Sequence, residues 1–199
     1  MKRSALIHDR VFAGEFAADY ARKHGKIAER FGREIAETLA ARGFEAGRIL
    51  DAGCGFGTTA ITLARALPES EVVGIDLSQP LLNLAVQAAQ DAGLSERVTF
   101  EAANVEQIPY DDGAFQAVVN VQMLHIVDDP VAMLNELERV LAPGGSLFMA
   151  DIRRSWVGLV DKVFRSGLTV DEAAILVRRS RLREGRFSSD LLWWWYEAV

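Results

Sequence analysis

The stretch "DAGCGFGTT", residues 51–59, holds the residue types and spacing best suited to chemistry. Gly53, Gly55 and Gly57 alternate directly after an apolar run. They suit a backbone that turns sharply and lets a ligand come close. Asp51 enters that turn from the run "RIL" and sets a carboxylate where a positive group would be attracted. Asp76 closes the next apolar run, "EVVGID", where a carboxylate can accept both hydroxyls of a ribose.

Two ligand classes fit such a turn, dinucleotides and S-adenosylmethionine. The dinucleotide fingerprint Gly-x-Gly-x-x-Gly, started at Gly53, needs its third glycine where Thr58 stands, so Gly57 comes one place early. Asp51 would repel a pyrophosphate and attract the ammonium of an amino-acid cofactor. Asp76 serves either ligand. The first two features favour S-adenosylmethionine.

The elements that must position these residues follow from periodicity. Phe16 and Tyr20, then Ile27, Phe31, Ile35 and Leu39, repeat at four-residue spacing, which predicts helix over about 15–42, divided at Gly25. "RILDAG" reads as a buried strand and "TTAITLARAL" as a helix stopped before Pro68. "EVVGIDL" is a strand, followed by a helix over 80–92 with Ser78 as N-cap and Gly93 as its stop. "RVTFEAAN" and the nearly all-apolar "FQAVVNVQM" are the third and fourth strands. Asp129 and Pro130 open a helix to about Leu141, "PGG" breaks it, and "SLFMAD" is the fifth strand.

Strands alternating with helices at this spacing predict βαβ units, an α/β fold with a parallel sheet covered on both faces. The tail differs. Trp156, Val160, Val163 and Phe164 form a helical stripe, and "TVDE" at 169–172 is a capping box opening a helix to about Arg179. "REGRFS" and "LLWWWYEAV" lie so close together that they predict an antiparallel hairpin.

Composition narrows the function. A chain of 199 residues with a net charge of −6 lacks the basic face that nucleic acid demands, so no nucleic-acid partner is expected. The acidic excess lies before Asp151, and the tail is slightly basic. A single cysteine, Cys54, excludes an internal disulfide framework and a thiolate metal cluster. His8, Asp9 and Arg10 interrupt any apolar signal at the start, and no run approaches a membrane span. The expectation is one soluble, cytoplasmic domain with no membrane partner.

Four segments together are similar to the class I S-adenosylmethionine-dependent methyltransferases. "ILDAGCGFGTTAITLA" resembles the family's first motif and "VVGIDLSQPLL" its acidic second motif. "NVEQIPYDDGAFQAVVNVQMLHIVDDP" resembles the region of adenine contacts and fourth strand, and "VLAPGGSLFMAD" the turn into strand five. The resemblance spans roughly residues 15 to 199. It implies a three-layer sandwich whose seven-stranded mixed sheet has the order 3-2-1-4-5-7-6, the last strand antiparallel. It also implies lid helices over 1–45, a cofactor-binding core over 46–151, and substrate-side helices with the hairpin over 152–199.

The site residues that the resemblance implies are specific. Asp51, Gly53, Gly55 and Gly57 would line the methionine half, Asp76 would bind the ribose, and Leu77 would pack on the adenine. Asn104, by its side chain, and Val105, by its backbone NH, would contact the adenine edge. Asn120 and Gln122 would end strand four near the sulfonium, and Tyr20 would cover the cofactor. Gln116 and Ile126 depart from common family residues and weaken any transfer of substrate identity. The family has no universal catalytic residue, so His125 and Tyr20 are candidates only. The implied activity is in-line methyl transfer to a small molecule. A non-catalytic S-adenosylmethionine-binding module and a nucleotide-dependent oxidoreductase are the alternatives.

Other conspicuous residues have plainer readings. Cys54 reads as a small residue packed in a tight loop. Asp111, Asp112, Asp128 and Asp129 read as turn and cap residues, and no metal is expected. Arg153, Arg154, Lys162 and Arg165 read as a solvated face, with Arg153 placed to meet a substrate anion. Trp193, Trp194 and Trp195 alternate across a strand, so covering helices can explain all three; a homodimer interface is the functional reading.

Overall fold

The structure, a computed structural model, describes residues 14–155 and 163–198. Trp156, Val160 and Lys162 lie outside the described residues. The chain runs α1 (Gly14–Ala41), β1 (Gly47–Ala52), α2 (Thr58–Ala66), β2 (Ser70–Asp76), α3 (Gln79–Asp91), β3 (Val98–Ala102) and β4 (Phe115–Val121). It continues through α4 (Pro130–Val140), β5 (Leu141–Ile152), α5 (Val163–Ser166), α6 (Val170–Arg179), β6 (Gly185–Ser189) and β7 (Trp193–Ala198).

The strands form one seven-stranded sheet in the order β3-β2-β1-β4-β5-β7-β6. β3, β2, β1, β4 and β5 pair in parallel, while β7 is antiparallel to both β5 and β6. Alternation along the strands divides the core between two faces. Leu50, Val118, Leu147 and Met149 point to a cluster with Met133, Leu134 and Leu137 of α4 and Ala173 and Val177 of α6. Their neighbours Ile49, Val119 and Phe148 point the other way, to Leu39 of α1 and Ile61 and Leu63 of α2. Strands buried on both faces must read as continuous apolar runs, and these do.

The hairpin obeys the same rule. Trp194 is fully buried with Tyr196 in the first cluster, beside Phe187 at 5.9 Å between ring centroids. Trp193 turns to the opposite face and meets Phe31 of α1 edge-on at 5.1 Å. Trp193 and Trp194 are thus both packed within the chain.

Two local expectations are corrected. α1 is a continuous 28-residue helix that passes through Gly25 without dividing. Glycine there costs about 1 kcal/mol relative to alanine, and the buried Ala17, Phe31, Ile35 and Leu39 on either side outweigh it. Secondly, the helix does end at Val140, but the strand after it begins at Leu141 and runs through "PGG" instead of starting at Ser146. Pairing with β4 steps from Phe115↔Leu141 to Ala117↔Ser146, so residues 142–145 form a bulge inside a longer strand. Gly144 takes φ +73 there, and a side chain at 145 would meet the Gln116 carbonyl at 2.8 Å. The bulge is tolerated because β7 pairs with β5 only from Leu147 onward.

Trp194 tests this packing. Its Nε1 finds no acceptor among the described residues, so its worth lies in volume. Trp194→Ala should lower unfolding stability by about 3–5 kcal/mol. Trp194→Phe, which also removes the unmet donor, should cost well under half of that, as measured by urea denaturation.

Candidate functional site

Every residue singled out around the glycine turn lies at or just beyond the carboxyl ends of the parallel strands, or on α1 above them. β1 delivers Asp51 to that edge. The NH groups of Gly53 and Cys54 donate to the Ile75 carbonyl at 2.8 and 2.9 Å, binding the turn to the end of β2. Gly53, Gly55 and Gly57 all have positive φ. Their surroundings differ. A methyl at Gly53 would strike the Met123 side chain, and one at Gly57 would lie 2.6 Å from Phe100 and 2.7 Å from Ala85. At Gly55 the nearest atom is 3.9 Å away, on Leu81. The protein's own packing requires two of these glycines, whereas Gly55 leaves its backbone open to a ligand. Cys54 is buried, and burial pushes its thiol well above the ordinary range.

Asp51 is only 1% exposed. Its Oδ2 is buried with no partner. Burial first, and then the charge of Asp76, pushes the group up to about 7, against the pull of the Ala60 NH. Asp76 is better met. Oδ2 accepts the NH of Gly55 at 2.9 Å and Oδ1 the NH of Ser78 at 2.8 Å. Burial still raises its pKa, and these donors oppose the shift. Beside it, Leu77 is 49% exposed and offers an apolar surface at the edge of the turn.

Asn104 uses its side-chain carbonyl to accept the NH of Glu106 at 2.9 Å, an Asx turn that shapes its own loop. The Val105 side chain is buried in the core. Asn120 is likewise buried, and its amide donates to the Ala52 carbonyl at 2.8 Å and to the Met133 sulfur at 3.8 Å. It clamps the tips of β1 and β4 together. Gln122 follows at φ +61, the one non-glycine residue with positive φ among the described residues, and its NH donates to Ala150 at 2.7 Å. Strain of that kind concentrates at working sites. The turn it creates lays Met123 over Gly53 and swings His125 toward β5.

There the sequence reading missed Asp151. It is 1% exposed at the end of β5. Its Oδ1 accepts the Ile152 NH at 2.6 Å and its Oδ2 the His125 NH at 3.1 Å. His125 Nδ1 lies 2.6 Å from Oδ1, off the line of a well-aligned hydrogen bond. The signal was present: like Asp51 and Asp76, Asp151 ends an apolar strand, so its carboxylate had to be buried.

α1 roofs this edge. Gly32 lets it close on α2, since a methyl there would sit 2.8 Å from Thr62. Tyr20 meets the His24 ring at 4.3 Å and Phe56 of the glycine turn edge-on at 5.9 Å. Burial raises the Tyr20 hydroxyl pKa, and the charges of Asp76 and Asp151 raise it further. Tyr20 therefore lies within the field of both acids.

The plainer readings of the surface residues also find their places. Asp129 caps α4 through the NH groups of Val131 and Ala132, and Asp112 pairs with Arg139. No group of three His, Cys, Asp or Glu is arranged to hold a metal among the described residues. Arg153 donates to the Asp190 carbonyl at 2.5 Å and Arg154 pairs with Glu172, so both are turned to the protein. No helix among the described residues is long and apolar enough to cross a membrane.

Residues 49–145 match the family model described as a methyltransferase domain. The 27-O-demethylrifamycin SV methyltransferase of Amycolatopsis mediterranei is 38% identical over 104 residues, which cover 52% of this chain and 38% of that one. The chain thus spans about two fifths of that relative's length. A SAM-dependent methyltransferase from Aquifex aeolicus shares the fold at a TM-score of 0.70 and 20% identity, covering 81% of this chain and 87% of its own. The (4+2)-cyclase SpnF matches at a TM-score of 0.65 and 27% identity, over 79% of this chain and 59% of its own.

The Asp51 environment predicts a pH dependence of folding. Its folded pKa lies above the ordinary value of 3.8, so the folded state keeps a proton that the unfolded chain releases. That contribution is complete below about pH 4 and is lost as pH rises through about 7, with a slope of up to about 1.4 kcal/mol per pH unit. Asp51→Asn should flatten this fall, as measured by denaturation of both proteins from pH 5 to 8.

Proposed function

From the match of residues 49–145 to a methyltransferase-domain model, we propose that this chain is a class I S-adenosylmethionine-dependent methyltransferase that transfers a methyl group to a small-molecule acceptor. The observation that carries the reading is Asp51, whose buried Oδ2 has no partner at the foot of an open glycine backbone. A carboxylate in that state favours an ammonium and disfavours a pyrophosphate.

The donor set suits the rest of the same ligand. In this reading Asp51 faces the ammonium and the backbone at Gly55 accommodates the methionine chain. Gly53 and Gly57 hold that backbone in its turn. The Asp76 carboxylate, already oriented by two backbone NH groups, accepts the ribose hydroxyls. Leu77 covers one face of the adenine, with Asn104 and the Val105 NH at its edge. Asn120 sets the spacing of the β1 and β4 tips, and Gln122 borders the sulfonium. Tyr20 closes the site from α1. When bound, the cofactor supplies a methyl group already activated by its sulfonium. What remains for these residues is to orient both reactants and exclude water, and alignment alone contributes much of such an acceleration.

A small-molecule acceptor is supported by the rifamycin relative, whose name gives a small molecule as its substrate. The match to a cyclase is a reminder that a fold does not fix its chemistry, so the reading rests on the acidic corner.

Calorimetry separates the alternatives. S-adenosylhomocysteine should bind, and NAD should not; tight NAD binding without the homocysteine compound would overturn the reading. Asp76→Ala removes charge-assisted hydrogen bonds worth about 1.5–3 kcal/mol each, so S-adenosylhomocysteine should bind at least tenfold more weakly. The ammonium requires Asp51 ionised, so affinity in the unaltered protein should rise from pH 6 to 8 with release of a proton.

A further inference from the structure

We infer that Glu106 is a positioning residue that couples the loop of the adenine contacts to the loop after β4, so that cofactor binding sets the second loop. The inference rests on the S-adenosylmethionine reading above. Glu106 is half-buried in the connection between β3 and β4, two residues beyond Asn104. Its own NH donates to the Asn104 side-chain oxygen at 2.9 Å. Its side chain reaches the other loop, where Oε1 accepts the NH of Asp128 at 3.0 Å and that of Asp129 at 2.9 Å. One residue therefore holds the Asn104 amide by its backbone and the end of segment 122–129 by its carboxylate.

The backbone of the second loop shows why this contact matters. The Gln122 NH goes to the Ala150 carbonyl, the His125 NH to Asp151, and those of Ile126 and Val127 to the Met123 carbonyl within the loop. The next two NH groups go across to Glu106. Leu124 is buried in the same cluster as Val105 and Ile108, so the two loops also share a core. The far half of the first loop is anchored separately. Glu136 accepts the Ile108 NH at 2.8 Å, and Arg139 donates to the Ile108 and Tyr110 carbonyls at 2.8 and 2.7 Å. Both anchors belong to α4, whose N-cap is Asp129. The first loop, α4 and segment 122–129 thus form a ring of contacts that Glu106 closes beside Asn104. Ligand contacts that order Asn104 and Val105 then order the segment carrying Met123, which lies against Gly53, and the coupling is reciprocal. Glu106 acts through these neighbours rather than on a reactant.

Backbone amide exchange, followed by NMR with and without saturating S-adenosylhomocysteine, tests the link. In the unaltered protein the ligand should slow exchange at Asp128 and Asp129 more than at amides of β7. Glu106→Gln keeps a carbonyl acceptor and should keep that response. Glu106→Ala should speed exchange at both amides about tenfold and abolish their response to the ligand. It should also weaken ligand binding about fivefold by calorimetry. Arg183→Gln removes contacts to Glu138 and to the Ala142 and Gly145 carbonyls instead. It controls for general destabilisation and should leave the response intact. A response that survives in Glu106→Ala, or that is lost in Glu106→Gln or Arg183→Gln, overturns the inference. If Glu106→Ala does not fold, Glu106→Asp, one methylene shorter, replaces it with the same expected outcomes. Calorimetry on the unaltered protein separates the two levels. No binding of S-adenosylhomocysteine means the methyltransferase reading fails and this inference with it; binding without slowing at the two amides means only this inference fails.

Discussion

A carboxylate withdrawn from water has to be met by donors or by a cation, because its desolvation cost is otherwise uncompensated. Asp51, Asp76 and Asp151 are all withdrawn at the tips of adjacent parts of one sheet, and each is met differently. Asp76 receives the NH groups of Gly55 and Ser78. Asp151 receives those of Ile152 and His125, with an imidazole nitrogen beside it. Asp51 keeps its Oδ2 buried with no partner. The three therefore differ in what they still require, and that difference assigns their roles more sharply than their shared position does.

The scaffold explains why such costly groups can be held at all. β1, β2, β4 and β5 end together because their parallel registers align Asp51 with Val119 and Gly74, and Val121 with Ala150. Clusters on both faces fix the strands, so the carboxylates cannot swing out to water without moving the core. Asn120 ties the Ala52 carbonyl across the gap between β1 and β4. α1 then covers the edge and brings Tyr20 into the field of two of the acids.

Much of this was legible in the sequence because it follows from pattern. Period-two burial, the Thr169 capping box, the Gly93 stop and the alternation of the three tryptophans each follow from one local rule, and the structure carries each of them. What was not legible required knowing neighbours. Gly25 looked like a break because helix propensity is local, whereas the packing of Phe31, Ile35 and Leu39 is not. The extension of β5 through "PGG" was not legible because its bulge depends on β5 lacking a second partner there. The glycines of the turn were read as space for a ligand, but Met123, Phe100 and Ala85 occupy the space at two of them. Asn104 and Asn120 were read by residue type, and only the fold reveals that each amide is engaged by a nearby peptide group.

Asp151 was overlooked for a more instructive reason. It lies 26 residues from His125 in sequence, and the contact between them is visible only in the fold. Gln122 is what joins them. Its positive φ ends β4 abruptly, sends Met123 back over the glycine turn, and brings His125 across to β5. One strained residue thus sets both the wall of the glycine turn and the placement of the imidazole. The two halves of the site, the glycine turn with Asp51 and the contact of His125 with Asp151, are consequently fixed relative to each other by backbone rather than by flexible side chains. That is the arrangement an alignment-limited reaction demands.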